Sequence, residues 1–150
     1  MSGPTAIERV FIDTNVLFYL LAREPGKSGI ADSLLRDPAR TRSISSQVLS
    51  EFANAARKKT SFGWLEIRYC IATFQETCSI QPVTEADIET ALTITASYRY
   101  SWFDSLIIAA ALRSGATTLF TEDMQHGQVI GGLTLINPFL DRGSAAALPN

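Results

Sequence analysis

Apolar and polar positions along the chain alternate between short β-branched runs and longer stretches of helical period. Val10-Phe11-Ile12 is apolar on both faces, as a strand in the middle of a parallel sheet is, and it stops abruptly at Asp13. Apolar residues resume from Val16 to Leu21, which predicts a first helix from about Asn15 to Ala22. Asn15 would be its N-cap, and Glu24-Pro25-Gly26 ends it. A second helix opens at Ser28, carries Ile30, Leu34 and Leu35 on one face, and closes near Asp37-Pro38. After a short strand, Arg42-Ser43-Ile44, Ser45-Ser46 caps a third helix, about Gln47 to Lys59, with the stripe Val48, Leu49, Phe52, Ala53, Ala55 and Ala56.

A fourth helix, about Trp64 to Glu76, carries Leu65, Ile67, Cys70, Ile71 and Phe74, and the strand Cys78-Ser79-Ile80 follows it. Thr84-x-x-Asp87 is close to a capping box and starts a fifth helix with Ile88, Leu92 and Ile94 inside. Beyond the aromatic junction Tyr98 to Phe103, Leu106 to Leu112 is apolar on nearly every side, which predicts a buried helix. Two strands remain, Ala116 to Phe120 and Leu133 to Ile136, the second entered through Gly131-Gly132. Strands alternating with helices imply an α/β fold. The expectation is a three-layer α/β/α sandwich around a mostly parallel sheet of four or five strands, with right-handed crossovers. One domain would span residues 1–150, with a folded core at about 7–140 and a loose tail at 141–150.

Composition narrows the chemistry. The chain is 46% hydrophobic and 19% charged, with a net charge of −2, so nucleic-acid binding through overall basicity is excluded and only a local basic patch could serve. A single histidine, His126, and two cysteines without a C-x-x-C rule out a Cys/His zinc site. Cys70 and Cys78 are read as reduced thiols of a cytoplasmic protein. No apolar run has the length of a membrane span, and the N-terminus lacks the apolar core of a signal peptide.

Carboxylates supply the remaining chemistry. Asp13 and Asp123 follow apolar strands directly, and in a parallel sheet the carboxyl ends of the strands share one edge, where such sheets place ligands. Glu51, at the edge of the third helix's apolar stripe, and Asp104, at the mouth of the buried helix, lie in the first turns of helices leaving that edge. Each has a plain explanation on its own: a polar turn, an edge Glu, an N-cap. Together they are costly, because two carboxylates about 5 Å apart repel by about 3 kcal/mol at an effective dielectric near 20. Protons or a cation must neutralise such a group. Oxygen-only ligands select Mg²⁺ or Mn²⁺, which suits metal-assisted hydrolysis of a phosphodiester. Arg57-Lys58-Lys59 at a helix end suits the helix dipole; these residues, or Arg40 and Arg42, are also candidates to guide a phosphate backbone.

Four segments in order, VFIDTNVL, SSQVLSEF, YSWFDSLIIAAAL and GATTLFTEDM followed by GGLTLINPF, resemble those of PIN-domain proteins, in particular the VapC-type toxins of toxin–antitoxin pairs. The resemblance covers almost the whole chain. It implies a Mg²⁺- or Mn²⁺-dependent ribonuclease, a homodimer and a cognate antitoxin that covers apolar helices near the site. Carried over residue by residue, Asp13, Glu51, Asp104 and Asp123 are the catalytic and metal-binding acids, and Asn15 and Thr121 orient them. Glu122 competes with Asp123 for the fourth place; Asp123 is preferred because it lies one step further into the turn.

Rival readings fit less well. A phosphatase of the haloacid dehalogenase type needs a second acid where Asn15 stands, and a response-regulator receiver needs a late lysine, whereas no Lys follows Lys59. A non-catalytic PIN-like module that binds protein or RNA would explain apolar helices but not four converging acids.

Overall fold

The computed structural model describes residues 6–22 and 24–140; the expected loose tail at 141–150 lies outside the described residues. Among the described residues, six strands form one sheet: β1 (Glu8–Ile12), β2 (Arg40–Ser45), β3 (Ser79–Gln81), β4 (Thr118–Phe120), β5 (Val129–Ile130) and β6 (Leu133–Ile136). Their order is β3-β2-β1-β4-β6-β5. All neighbours are parallel except β5 and β6, which form an antiparallel hairpin. That hairpin is the one departure from the expected four or five strands. Gly131, at φ 61°, and Gly132 make a two-residue turn short enough to fold Val129-Ile130 back onto β6.

Helices flank the sheet: α1 (Thr14–Phe18), α2 (Pro25–Arg36), α3 (Ser46–Lys59), α4 (Trp64–Thr77), α5 (Glu85–Tyr98) and α6 (Trp102–Ser114). Strand alternation sends Arg9 and Glu8 to opposite faces. Arg9 reaches the end of α6, donating to the Ser114 carbonyl at 3.0 Å. On the other face, Arg42 donates to the Leu34 and Asp37 carbonyls at the end of α2, and Arg40 pairs with Glu8 and Asp37. Both arginines are thus consumed in fastening α2. Arg40 stands at the amino end of β2, the edge opposite the one where the strands' carboxyl ends lie, so neither fits the expected role beside the acids.

Val10, Phe11 and Ile12 are buried on both faces of β1, as their sequence implies. The α6 run Ser105–Ala111 is buried throughout. Elsewhere the buried face is rotated from the expected one. In α5, Asp87, Ala91 and Ile94 are buried while Ile88 and Leu92 face outward. Ala91 allows close approach at the contact with α6, and the buried Asp87 carboxylate accepts two hydrogen bonds from Arg113 of α6, at 2.7 and 3.0 Å. Leu65 of α4, expected on the inner stripe, is 83% exposed.

Candidate active site

The chain turns to opposite sides of β1 after that strand: β2 and β3 lie one way, β4 and β6 the other. Such a switch point opens a crevice at the strands' carboxyl ends. The backbone ties across it, Asp13 N–H donating to the Phe120 carbonyl and Thr121 N–H to the Ile136 carbonyl, both at 2.9 Å. Asp13, Glu51, Asp104 and Asp123 all line one cleft of about 550 Å³ there. A larger hollow of about 750 Å³, between α2 and the sheet, has Glu8 as its only acid among the described residues, and Arg40 pairs with it.

Asp13 is the buried centre, 4% exposed. It is the N-cap of α1, a place expected for Asn15. Its Oδ1 accepts from Thr14 N–H at 2.7 Å, and its Oδ2 accepts from the Thr121 hydroxyl at 2.8 Å and Asn15 Nδ2 at 3.3 Å. Asn15 is thereby freed for cross-links: its Nδ2 also donates to Asp123 Oδ2 at 2.9 Å, and its Oδ1 accepts from Glu122 N–H at 3.0 Å. Glu51, one turn into α3, accepts from the Thr14 hydroxyl at 2.8 Å and from Gln47 Nε2 at 3.0 Å. Gln47 Nε2 also donates to the Phe103 carbonyl at 3.1 Å, joining α3 to the start of α6. Asp104 is not the N-cap of α6. Ser101 fills that place, accepting from Asp104 N–H at 3.1 Å, so Asp104 sits within the first turn at the cleft wall.

Asp123 and Glu122 are separated by their partners. Asp123 joins the Asp13 group through Asn15. Glu122 accepts from the Tyr19 hydroxyl at 2.7 Å and forms an ion pair with Lys27, whose ammonium lies 4.7 Å from the Tyr19 ring centroid. Burial pushes the Glu122 carboxyl up, but Lys27 and Tyr19 outweigh it and hold it below the usual range.

The electrostatics of the acids run the other way. Burial pushes the Asp13 carboxyl from 3.8 up to about 7, against the opposing hydrogen bonds from Thr121 and Thr14, with the negative charges of Asp104 and Glu51 adding to the rise. Burial also raises Asp104, partly offset by Ser101 and reinforced by Asp123 and Glu51. A buried acid that would hold its proton near neutrality is a place where a cation gains by restoring the charge. Among the described residues no three acids, cysteines or histidines are grouped closely enough for a ready-made ligand cage. Neutral donors already occupy them: Thr14 and Gln47 bond Glu51, and Asn15 bridges Asp13 and Asp123. The arrangement therefore fits a hard cation that takes one or two carboxylates directly and keeps water between itself and the others, the habit of Mg²⁺. It does not fit a closed, dehydrated site.

Thr14 and Gln47 are the partners that reading the sequence missed. Gln47 was visible in principle, since it precedes Glu51 by one helical turn; Thr14 carried no signal beyond adjacency.

A family model for the PIN domain matches residues 10–130, a span that contains all four acids. The chain belongs to the PIN-domain family. No curated protein matches the sequence. Solved structures with the same PIN fold include VapBC2 from Rickettsia felis bound to a DNA fragment from its promoter. It shares 19% identity over 85% of this chain and 96% of that one, with a TM-score of 0.63. A toxin–antitoxin complex from Klebsiella pneumoniae shares 18% identity over 87% and 98%, with a TM-score of 0.65. Mycobacterium tuberculosis VapC20, described as a sarcin-ricin loop cleaving toxin, shares 19% identity over 76% and 89%, with a TM-score of 0.61. Among the described residues no helix of this PIN domain is long and apolar enough to cross a membrane.

Proposed function

We propose that this PIN domain is a Mg²⁺- or Mn²⁺-dependent endoribonuclease and the toxin of a toxin–antitoxin pair. The observation that carries the reading is the convergence of four acids from four different elements on one cleft, with Asp13 buried at its base. Family membership supports nuclease chemistry in general. The likeness to VapC structures, and the description of one of them as a sarcin-ricin loop cleaving toxin, supports RNA as the substrate.

Asp13 and Asp104 would hold the cation directly, and Glu51 and Asp123 directly or through water. A bound divalent cation supplies Lewis-acid charge at the scissile phosphate and makes water a better nucleophile near neutral pH. The chain's own residues do the positioning. Thr121 and Thr14 N–H fix the two oxygens of Asp13, and Thr14 and Gln47 aim Glu51 at the cleft. Asn15 couples Asp13 to Asp123, so that these two acids move as one unit. Lys27 and Tyr19 withdraw Glu122 from the cluster, leaving Asp123 as the fourth acid.

The partner we propose is an antitoxin, as in the VapBC complexes of similar fold. It would cover the narrow apolar groove of about 300 Å³ where Leu20 and Leu21 meet Leu35, Tyr69 and Phe74. A homodimer is part of the same proposal. Incubating total RNA with the protein in Mg²⁺, in Mn²⁺ and in chelator, beside Asp104→Asn, tests the activity. Cleavage that needs metal and is lost in the variant is expected. No cleavage, together with no metal binding by calorimetry, would replace this reading with that of a binding module.

A further inference from the structure

We infer that Lys59 is a positioning residue that receives a backbone phosphate of the RNA on the flank of the acid cleft. This rests on the nuclease reading above. Six carboxylates line the cleft, and among the described residues Lys59 is the only cation that does. For a polyanion approaching such a surface, that ammonium is the one unpaired positive charge the cleft lining offers among the described residues, apart from a bound metal ion. Lys59 takes part in none of the ion pairs among the described residues. Its charge is therefore not spent on any carboxylate among the described residues.

The structure separates the three consecutive cations at the end of α3, which a helix points in directions about 100° apart. Arg57 lies over the Trp64 ring, 5.5 Å from its centroid, whereas the Lys59 ammonium lies 5.7 Å from the Phe18 centroid on the cleft side. Glu51, Ala55 and Lys59 follow one another at four-residue spacing, and all three line the cleft. The eight-residue interval carries the helix about 12 Å from acid to cation. Ala55 leaves the space between them open. Beyond Lys59 the surface continues into a hollow of about 710 Å³ that shares Phe18, Ala22, Glu24 and Lys59 with the acid cleft. A cation beside an aromatic ring along a continuous groove is how single-stranded nucleic acid is tracked without sequence reading. The interval places the Lys59 contact on a phosphate further along the strand than the scissile linkage. Its contribution thus falls on KM and not on kcat.

The test pairs cleavage with binding. Fluorescence anisotropy of a labelled single-stranded RNA oligonucleotide is measured across a KCl series with the cleavage-deficient Asp104→Asn protein, alone and combined with Lys59→Gln, Lys59→Arg or Lys58→Gln. Lys59→Gln is expected to weaken binding by roughly fivefold, about what an exposed ion pair carries. It should also reduce the log–log salt slope by about 0.7, the loss of one single-strand phosphate contact. Lys59→Arg restores both, and Lys58→Gln leaves the slope intact. In the active protein, Lys59→Gln raises KM with kcat within about twofold. An unchanged slope in Lys59→Gln, or an equal loss in Lys58→Gln, overturns the assignment and leaves Lys59 as a helix-dipole cation. Metal-dependent cleavage by the unaltered protein alongside that result would retain the nuclease reading. Absence of both cleavage and RNA binding would remove that reading and Lys59's role with it.

Discussion

Asp13→Asn should stabilise the metal-free protein near neutral pH while abolishing its response to metal. Folded Asp13 keeps its proton up to about pH 7, whereas an Asp of ordinary pKa releases it near 3.8. Between those values the folded state binds more protons than the unfolded state, so stability falls as pH rises through the window. Fully developed above pH 7, the gap corresponds to about 4 kcal/mol. Asparagine removes that penalty but introduces one of its own. Thr14 N–H keeps its acceptor, and the Thr121 hydroxyl can turn to accept from the new amide. Asn15 Nδ2 then faces a donor and loses its bond, at a cost of about 1 kcal/mol. The net gain expected for Asp13→Asn is about 3 kcal/mol at about pH 8 in chelator, shrinking to nothing between about pH 4 and 5. Urea denaturation across that pH range measures it. Saturating Mg²⁺ should close most of that gap. At a hundred times its dissociation constant, a ligand specific to the folded state adds about 2.7 kcal/mol to the parent and little to a variant without the central acid. A pH-independent difference between parent and variant in chelator, or equal metal stabilisation of both, would refute the reasoning.

Partner patterns separate the two adjacent acids. Asp123→Asn should lower kcat/KM for RNA by about a hundredfold, and Glu122→Gln by less than about tenfold, because Lys27 and Tyr19 already occupy Glu122. Steady-state cleavage decides the order, and the reverse order would exchange the two assignments. Asp87 should show the opposite stability slope to Asp13. Burial raises its carboxyl, but hydrogen bonds from Arg113 and Thr84 outweigh burial and hold it below 3.8, so its contribution is present above that pH and lost on acidification below it. Asp87→Ala should cost about 2 to 3 kcal/mol near neutrality, since it removes a cap and leaves the Arg113 guanidinium unpaired. The cost should shrink toward pH 3 in urea titrations, and a constant cost would show that the charge is irrelevant.

Local signals carried much of this protein's organisation. Strand β1 was legible because three consecutive apolar residues ending at an acid have few other uses. Helix α6 was legible because an all-round apolar helix can only be buried. The end of α3 and the start of α5 were legible from capping and charge alone. Periodicity located the helices but not their rotation. In α5 the closer packing of Ala91 and the Asp87–Arg113 pair turned Ile88 and Leu92 outward, a choice made by α6 through a partner 26 residues away in sequence. The same limit governed the site. The sequence by itself narrowed the acids that could share the carboxyl edge of a parallel sheet to Asp13, Glu51, Asp104 and one of Glu122 and Asp123, because strand direction and helix starts are local properties. Only the tertiary structure decided that Asp13, not Asn15, caps α1, and that Thr14 holds Glu51. It also tied Glu122 to Lys27 and left Lys59 beside the acids. Those outcomes depend on side chains brought together across separations of up to 108 residues, and no periodicity records them.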